Sequence, residues 1–387
     1  MLVRTSSAFL LMIAAFAAPG HAAEDLSALS DEALLAELSA LETEAEQIAA
    51  APVPDAPFGH LGAFLGYDSY GGATAGLRLN FNDFLTEGQK LSLSGELQRE
   101  GEALEIGLRN RTLIPGGAES ALEFSHMRRR ADDLYDFAVR AQRLRAGLAW
   151  DLSPGLRLSA FGQLAREELS EPGSGLSPLV ARDMGQRDRR ALGYEMRYTT
   201  PSEGLRFSAS LSQEFGRSSG GRSYGRTIVA LDSAGPAMGG FEWGAGLRAG
   251  LLRSRSGPSH VGDRFFVGNS VLRGFSPGGF GPRDLSVASQ TALGGERYAS
   301  LRLDLQKPGA FGLPDSVRIG AFADAGALWK APGALPGQDG KSLRSAAGLT
   351  ASLSISKAVI TLELAHPLKK QSYDRSRTLN VRLTSNF

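Results

Sequence analysis

The chain contains no cysteine, which excludes disulfide bonds, cysteine-ligated zinc and a cysteine nucleophile. Its five histidines show no metal-ligand spacing such as His-x-x-x-His. The sequence also has neither a Gly-x-Ser-x-Gly nucleophile elbow nor a Gly-x-x-x-x-Gly-Lys-Ser/Thr phosphate loop. We therefore predict a protein that is not an enzyme and that uses no metal or cofactor.

A strong charge of one sign is missing as well. The 42 lysines and arginines nearly balance the 41 aspartates and glutamates, whereas a nucleic-acid-binding surface is normally basic. We expect no nucleic-acid partner. Beyond the N-terminus there is no apolar run of about 18 residues, the length of a membrane-spanning helix, so no such helix is predicted.

The first residues have the pattern of an export signal. Arg4 supplies a positive charge, an apolar run follows from Phe9 to Ala18, and Gly20-His21-Ala22 offers a small-residue cleavage site. This apolar run is too short to span a bilayer as an anchor. We therefore predict a signal peptide over residues 1–22 and an exported mature chain.

Residues 23–57 are predicted to form a periplasmic helix and a proline-rich linker. Within residues 30–50, apolar side chains recur at alternating spacings of four and three, the seam of a short coiled coil; they are Leu34, Leu38, Leu41, Ala45 and Ile48. Pro52, Pro54 and Pro57 then stop the helix. Three roles stay open for helix 30–50: a solvated spacer, a helix that binds a periplasmic partner or itself, and a helix that enters the following domain.

From residue 58 to residue 387 the pattern changes to a period of two, which is typical of β-strands. In the run 378–387, for example, Leu379, Val381 and Leu383 alternate with polar residues. The runs are about ten residues long, enough for a tilted strand to cross a bilayer. A soluble sandwich would show the same alternation, but the export signal, the missing cysteines and the arginines on the polar faces favour an outer-membrane barrel.

Counting the runs gives about sixteen strands. We place them near 59–70, 73–83, 89–101, 102–113, 118–130, 135–152, 155–169, 189–200, 204–217, 222–233, 239–253, 295–307, 315–329, 341–355, 357–366 and 376–387. Connections after even strands are mostly short, and the long ones, near 170–188 and 254–294, follow odd strands. This asymmetry is expected between periplasmic turns and external loops. The predicted fold class is all-β: a sixteen-stranded antiparallel transmembrane β-barrel with one short N-terminal periplasmic helix.

Two motifs carry a resemblance to a known family. Val271-Leu272-Arg273-Gly274-Phe275 lies in the long glycine-rich connection after the eleventh run, and Phe322-Ala323-Asp324-Ala325-Gly326 lies in the thirteenth. Together with the aromatic C-terminus, these motifs resemble the BamA-type barrel-assembly and two-partner-secretion superfamily, whose barrels are also called bacterial surface antigens. The resemblance extends over roughly residues 268–387.

The resemblance implies the site residues. In this superfamily the sixth external loop folds back into the barrel, where its arginine pairs with acidic residues on the wall. It thus implies a loop lock formed by Arg273, Gly274, Phe275, Asp324 and Gly326. Secondary contacts on the lumen wall are expected from Arg302, Asp304 and Arg318. The last strand, through Leu379, Val381, Leu383 and Phe387, would act as an assembly signal.

The chain departs from the family pattern in two ways. Arg302 stands where the family usually has a glutamate, so Arg302 could compete with Arg273 for Asp324. Typical members also carry repeated periplasmic POTRA domains, whereas the sequence between the signal and Pro57 has room for one helix. We expect a member without POTRA domains.

The resemblance implies a protein of the Gram-negative outer membrane that assists insertion or translocation of other proteins. Its expected partners are outer-membrane lipids, unfolded outer-membrane or secreted protein clients and, through helix 30–50, a periplasmic protein. The alternative is a structural or pore-forming barrel that keeps the fold without handling clients.

Overall fold

The computed structural model describes residues 59–68, 72–99, 101–114, 117–131, 136–170, 175–200, 204–334, 341–355 and 358–386. The predicted signal peptide, helix 30–50, the proline-rich linker and Phe387 lie outside these ranges. Their assignments stay predictions.

The described residues form sixteen antiparallel strands, each paired with its neighbours in the chain, and β1 pairs with β16 to close a barrel. The strands are β1 Gly59–Asp68, β2 Gly72–Asn82, β3 Gln89–Gln98, β4 Gly101–Asn110, β5 Glu119–Arg129, β6 Ala138–Ser153, β7 Leu156–Ser170, β8 Gly185–Thr199, β9 Arg206–Ser218, β10 Ser223–Pro236, β11 Glu242–Ser254, β12 Arg297–Pro308, β13 Val317–Trp329, β14 Arg344–Ile355, β15 Ala358–Lys369 and β16 Leu379–Asn386. The prediction of a closed sixteen-stranded barrel is confirmed.

Alternation gives the wall two chemically different faces. On β12 the residues Leu301, Leu303 and Leu305 are 42–45% exposed, although leucine is ordinarily buried in a soluble protein. Arg302 and Asp304 point to the other side, and cross-strand register places Asp324 of β13 opposite Arg302. We call the face with Asp324 the polar face and the face with these leucines the apolar face.

Among the described residues, short helical segments lie only in connections. The helix α1, Pro178–Ala181, follows β7, and its preceding residue Ser177 caps it by accepting a hydrogen bond from the Leu179 N–H at 3.1 Å. Turns of 3₁₀ helix occur at Met238–Gly240, Val261–Asp263 and Ala310–Gly312. Across the residues described, no helix is both long and apolar enough to cross a membrane.

The buried core lies around the long connection between β11 and β12, residues 255–296, which we call the β11–β12 loop. One apolar cluster joins loop side chains to the barrel wall: Phe265, Val267, Val271, Leu272, Phe275 and Phe280 from the loop, with Tyr224, Leu252, Tyr298, Leu328 and Ala346 from strands. A second cluster joins Val261 and Leu293 of the loop to Phe137, Leu169, Val180 and Ala331. The loop is therefore packed against the barrel along much of its length.

Aromatic rings on the polar face lie over glycines of adjacent strands. The pairs are Phe161 with Gly193, Tyr224 with Gly216, Tyr298 with Gly250 and Phe322 with Gly348. A Cβ atom on any of these glycines would come within 2.2–2.7 Å of the ring. Glycine at these positions therefore gives the ring room to lie flat along the wall.

Candidate functional site

Arg273 of the β11–β12 loop meets two carboxylates of the wall. Its backbone N–H and its Nε donate to Asp324 Oδ2 at 2.9 and 2.8 Å, and Nη2 donates to Asp324 Oδ1 at 2.6 Å. Nη1 donates to Asp304 Oδ1 at 2.5 Å. This two-pronged geometry is the one for which the planar guanidinium is suited.

The same arginine is buried and stacked on an aromatic ring. Arg273 is 4% exposed, Asp324 is 2% exposed, and the guanidinium carbon lies 3.8 Å from the centre of the Phe322 ring. Burial acts to lower the pKa of Arg273, but the hydrogen bonds that it donates to Asp324 and Asp304 outweigh burial and raise that pKa above its ordinary value. The guanidinium therefore stays charged, and we call this cluster the Arg273 site.

Arg302 does not displace Arg273. Its Nε lies 3.9 Å from Asp324 Oδ2, a longer approach than that of Arg273. Its Nη1 instead donates to the backbone carbonyl of Ser270 at 3.0 Å. Arg302 thus adds a contact between β12 and the loop at the position where the sequence suggested competition.

Arg318 is not part of the cluster. It pairs with Glu242 on β11, and the side chains of both residues are 40% exposed. Arg318 lies one residue from the start of β13, six residues before Asp324, so it faces the same way but sits near the opposite end of the strand.

The two residues after Arg273 fit closely against the wall and a neighbouring connection. Gly274 has φ of +83°, and a Cβ atom there would approach Ala365 Cβ at 3.1 Å, so both backbone conformation and space favour glycine. Phe275 is fully buried, forms a bridge with Ser376 and packs edge-on against Phe280, with ring centres 5.3 Å apart.

The predicted lock residue Gly326 lies on β13 two residues after Asp324. A Cβ atom there would meet the Ala299 carbonyl at 3.0 Å and Ser300 Cβ at 3.2 Å. Gly326 therefore permits close pairing of β12 and β13, and no contact places it against Arg273.

The loop also binds the connection between β15 and β16, residues 370–378, which the sequence did not indicate. The Arg377 N–H donates to the Gly274 carbonyl at 3.0 Å, the Ser276 N–H to the Arg375 carbonyl at 3.0 Å, and the Arg375 N–H to the Gly279 carbonyl at 2.8 Å. The connection is itself held by Arg344 of β14, which binds Asp374 at 2.9 and 3.1 Å with both side chains fully buried.

A second buried ion cluster holds the start of the loop, with the charges reversed. Here the loop supplies the carboxylate, Asp263, and β8 supplies the cations. Arg187 binds both oxygens of Asp263 at 2.9 Å, and Arg189 donates to Oδ1 at 2.8 Å. Glu167 of β7 is a further partner of Arg187. Burial acts to raise the pKa of Asp263, but the two arginines lower it overall. We call this cluster the Asp263 site.

Neutral acceptors hold another loop arginine near the Asp263 site. Arg264 donates to the Ser259 hydroxyl at 3.0 Å, to the Ser259 carbonyl at 2.8 Å and to the Leu293 carbonyl at 2.8 Å. Burial lowers the pKa of Arg264 to about 10. These bonds tie the two ends of the loop to each other.

Three of the four residues predicted as an assembly signal lie together on the apolar face of β16, and the fourth, Phe387, lies outside the described residues. Leu379, Val381 and Leu383 stand opposite Leu364, Leu362 and Ile360 of β15. Leu379 is 51% exposed and its neighbours Leu362 and Leu364 are 44% and 51% exposed. The role of these residues as a signal stays a prediction.

The sequence reasoning missed the Asp263 site because its members are far apart in the chain and belong to no motif. One signal was available in the sequence. Arg187 and Arg189 of β8 lie two positions apart and therefore face the same side as Glu167 of β7, which is the cross-strand partner of Arg187. That alternation places the side chains on one face but does not indicate which loop supplies a counter-ion.

Comparisons with known proteins agree on the fold. The family model described as the Omp85 superfamily domain matches residues 67–387. The crystal structure of BamA from Haemophilus ducreyi lacking POTRA domains 1-3 has a TM-score of 0.75 at 16% identity, covering 85% of this chain and 70% of that chain. At this identity the likeness shows the fold alone.

Two further solved structures are similar. CdiB from Acinetobacter baumannii has a TM-score of 0.56 at 13% identity, covering 85% of this chain and 60% of that chain. CdiB from Escherichia coli has a TM-score of 0.57 at 15% identity, covering 84% and 63%. The chain thus spans less than two thirds of the length of these CdiB structures. No curated protein matches the sequence.

Proposed function

Because the chain belongs to the Omp85 superfamily, we propose that it is an outer-membrane barrel that assists the insertion or translocation of other proteins. In this proposal the apolar face contacts lipid and the polar face lines the lumen. The β11–β12 loop is then folded inward and is held by the Arg273 site. The observation that carries the proposal is the buried Arg273, bound to Asp324 and Asp304 of two adjacent strands.

The fixed loop supports a mechanism without bond chemistry. Breaking a buried ion pair by removing one partner leaves an uncompensated charge and costs about 3–5 kcal/mol. An arginine held by two carboxylates therefore gives the loop one well-defined position. If the loop is fixed in this way, the part of the wall that can open is the closure, the pairing of β1 with β16.

Among the described residues, the closure between β1 and β16 is the shortest strand pairing in the barrel. Its register runs from Phe64 opposite Asn386 to Asp68 opposite Arg382, five pairs, while β1 and β2 pair over ten. A pairing this short has few hydrogen bonds to break. Because unpaired strand edges template the addition of another strand, the edges that this closure would expose on opening are suited to receive a client strand.

A reconstitution experiment tests the proposal. Unfolded outer-membrane barrel clients are mixed with liposomes that contain the purified protein and with bare liposomes of the same lipid. We expect faster client folding where the protein is present, measured as the appearance of heat-modifiable, protease-resistant client. Equal rates in both liposomes, together with steady ion conductance through the protein, would instead support the alternative, a pore-forming barrel that handles no client.

A further inference from the structure

The apolar face carries arginines at one end of the barrel and aromatic residues at the other. One set of exposed arginines lies next to the connections β5–β6, β7–β8, β9–β10 and β11–β12, at the ends of the strands that these connections join. They point to the apolar side and are Arg128, Arg140, Arg166, Arg190, Arg217 and Arg253. Near the opposite end, the same side carries Trp150, Tyr198, Phe207 and Trp243. One end of this face is therefore suited to bind anionic groups, and the other end is suited to aromatic and apolar contacts.

Four of these arginines stand opposite one another in two cross-strand pairs, and in the pair Arg128–Arg140 a carboxylate, Glu168, lies 3.8 Å from Arg140. Arg190 of β8 and Arg217 of β9 are cross-strand partners, an arrangement in which like charges destabilise a sheet. Both side chains are exposed, and among the described residues neither has a carboxylate within ion-pair distance. Asp188, two residues before Arg190 on the same side, is bound by Arg166 at 2.9 Å and is also close enough to interact with the Arg190 charge. Within the described part of the chain, the two paired arginines thus share at most one carboxylate, which Arg166 already binds.

An apolar groove begins beside this pair. Leu144, Leu164, Leu192 and Phe215 line it and are 43–70% exposed. Gly162 forms part of its floor, where an added Cβ would make only an ordinary contact with Leu192 at 3.5 Å. The groove has a volume of about 580 Å³, and Arg190, Arg217 and Arg255 also line it.

We propose that this groove binds a phosphorylated membrane lipid, with a phosphate between Arg190, Arg217 and Arg255 and an acyl chain along the leucines. A phosphate accepts several hydrogen bonds and its negative charge relieves the repulsion between the two paired arginines. The apolar floor accounts for a lipid rather than a free anion, since a free phosphate gains nothing from leucine side chains. The proposal relies on the apolar face contacting lipid and does not depend on client handling.

Binding of lipid A, a bis-phosphorylated acylated glycolipid, to the purified full chain in zwitterionic detergent-lipid micelles tests this site. Native mass spectrometry counts the bound lipid and also shows whether a dimer forms. The test variant is Arg190→Gln/Arg217→Gln. The matched control is Arg143→Gln/Arg206→Gln, which removes two exposed arginines from the polar face.

We expect the Kd for lipid A to rise by about tenfold or more in the test variant, the ratio that corresponds to one charge-assisted contact. The control should bind as the unchanged protein does, and raising the salt concentration should weaken binding. Phosphatidylcholine should not compete, and inorganic phosphate should compete only weakly. Heat-modifiability of each variant verifies that the barrel is folded.

Three results would overturn the proposal. Equal weakening in both double variants would show attraction to overall charge and no site at the groove. Competition by inorganic phosphate as effective as that by lipid A would assign the arginines to a free anion. A dimer that the test variant dissociates would assign the groove to a second copy of the chain.

Discussion

At the scale of single residues, Arg273 connects the loop to the wall through buried ion pairs, and removing one partner of such a pair costs more than removing one partner of a surface pair. Its partners Asp324 and Asp304 lie on adjacent strands, and Asp324 has no exposed side-chain area. Exposed ion pairs are worth only about 0–1 kcal/mol. Replacing the buried Arg273 and, separately, the exposed Arg318 therefore tests the role of burial directly.

We predict that Arg273→Ala makes the β11–β12 loop sensitive to protease added to intact cells, because the buried Asp324 would lose its two hydrogen bonds from the Arg273 guanidinium and be left with the longer approach of Arg302 at 3.9 Å. The loss of stability should be about 3–5 kcal/mol. Arg273→Lys should give an intermediate effect, since lysine cannot reproduce the two parallel hydrogen bonds. The matched control is Arg318→Ala, because Arg318 forms its pair with Glu242 while 40% exposed. Digestion of Arg273→Ala that matches this control would contradict the lock.

His260 predicts a pH dependence for the start of the loop. Burial lowers the pKa of His260 to about 4, and the Arg187 cation acts in the same direction, against Asp183 and Asp263. A free histidine protonates near pH 6.5, so the neutral form stabilises the folded loop fully above that pH. This contribution, up to about 3 kcal/mol, is lost as the pH falls from about 6.5 to about 4.

The measurement is the rate of loop cleavage by an acid-tolerant protease between pH 7 and pH 4. We expect the rate to rise through this interval in the unchanged protein. In His260→Asn, whose side-chain oxygen can accept the Gly262 N–H that His260 Nδ1 accepts at 3.1 Å, the rise should disappear. A rise that persists in the variant would trace the pH dependence to another group.

At the scale of strands, the close approach of β13, β14 and β15 depends on glycine. A Cβ atom on Gly348 would lie 2.0 Å from the Leu364 carbonyl and 2.7 Å from the Phe322 ring. That ring also supports the Arg273 guanidinium. Packing at this glycine and the position of the loop arginine are therefore linked.

We predict that Gly348→Ala lowers barrel stability by about 1–3 kcal/mol, the usual cost of overpacking, measured as the urea midpoint of the heat-modifiable form. The control is Gly244→Ala on β11, where an added Cβ would meet Asp304 Cβ at an ordinary 3.7 Å. If the two variants shift the midpoint equally, the general cost of losing a strand glycine, and not the Phe322 contact, is responsible.

The strands could be predicted from the sequence because alternation and turn residues are local signals. Their number was right and most boundaries differ by a few residues, the largest difference being β8, which starts at Gly185 instead of near 189. The sequence pattern predicted a loop for residues 185–188, because charged residues occupy both faces of this strand end and no apolar alternation is visible. The Arg273–Asp324 proximity followed from a family motif and from strand parity.

Other parts of the site could not be predicted, for physical reasons. The contact of Arg344 with Asp374 and the Asp263 site join residues that are 30 and 76 positions apart, respectively. Such pairs depend on how a loop without periodic pattern packs. The sequence indicated only that Arg302 could compete for Asp324, because the Ser270 carbonyl, a neutral acceptor for Arg302, is placed there by the folded loop.

At the scale of the whole molecule, the absence of cysteine permits a clean test of the closure between β1 and β16. Tyr67 and Leu383 are register partners across it. We predict that the disulfide formed by Tyr67→Cys/Leu383→Cys abolishes acceleration of client folding, and that reduction restores it. The control disulfide, Ala63→Cys/Leu77→Cys, joins β1 to β2 and should leave the activity unchanged. Full activity with the first disulfide closed would show that clients do not use this edge.

The two ion clusters of the β11–β12 loop lie on separate arcs of the wall. The Asp263 site attaches to β7 and β8, and the Arg273 site attaches to β12 and β13. The loop thus acts as a mechanical brace across the strands from β8 to β12, because it is attached to the wall on both sides of them. The loop also contacts Ala346 of β14 and the β15–β16 connection, so any change in the circumference of the barrel must be taken up by the strands beyond these contacts, from the closure through β1 to β5.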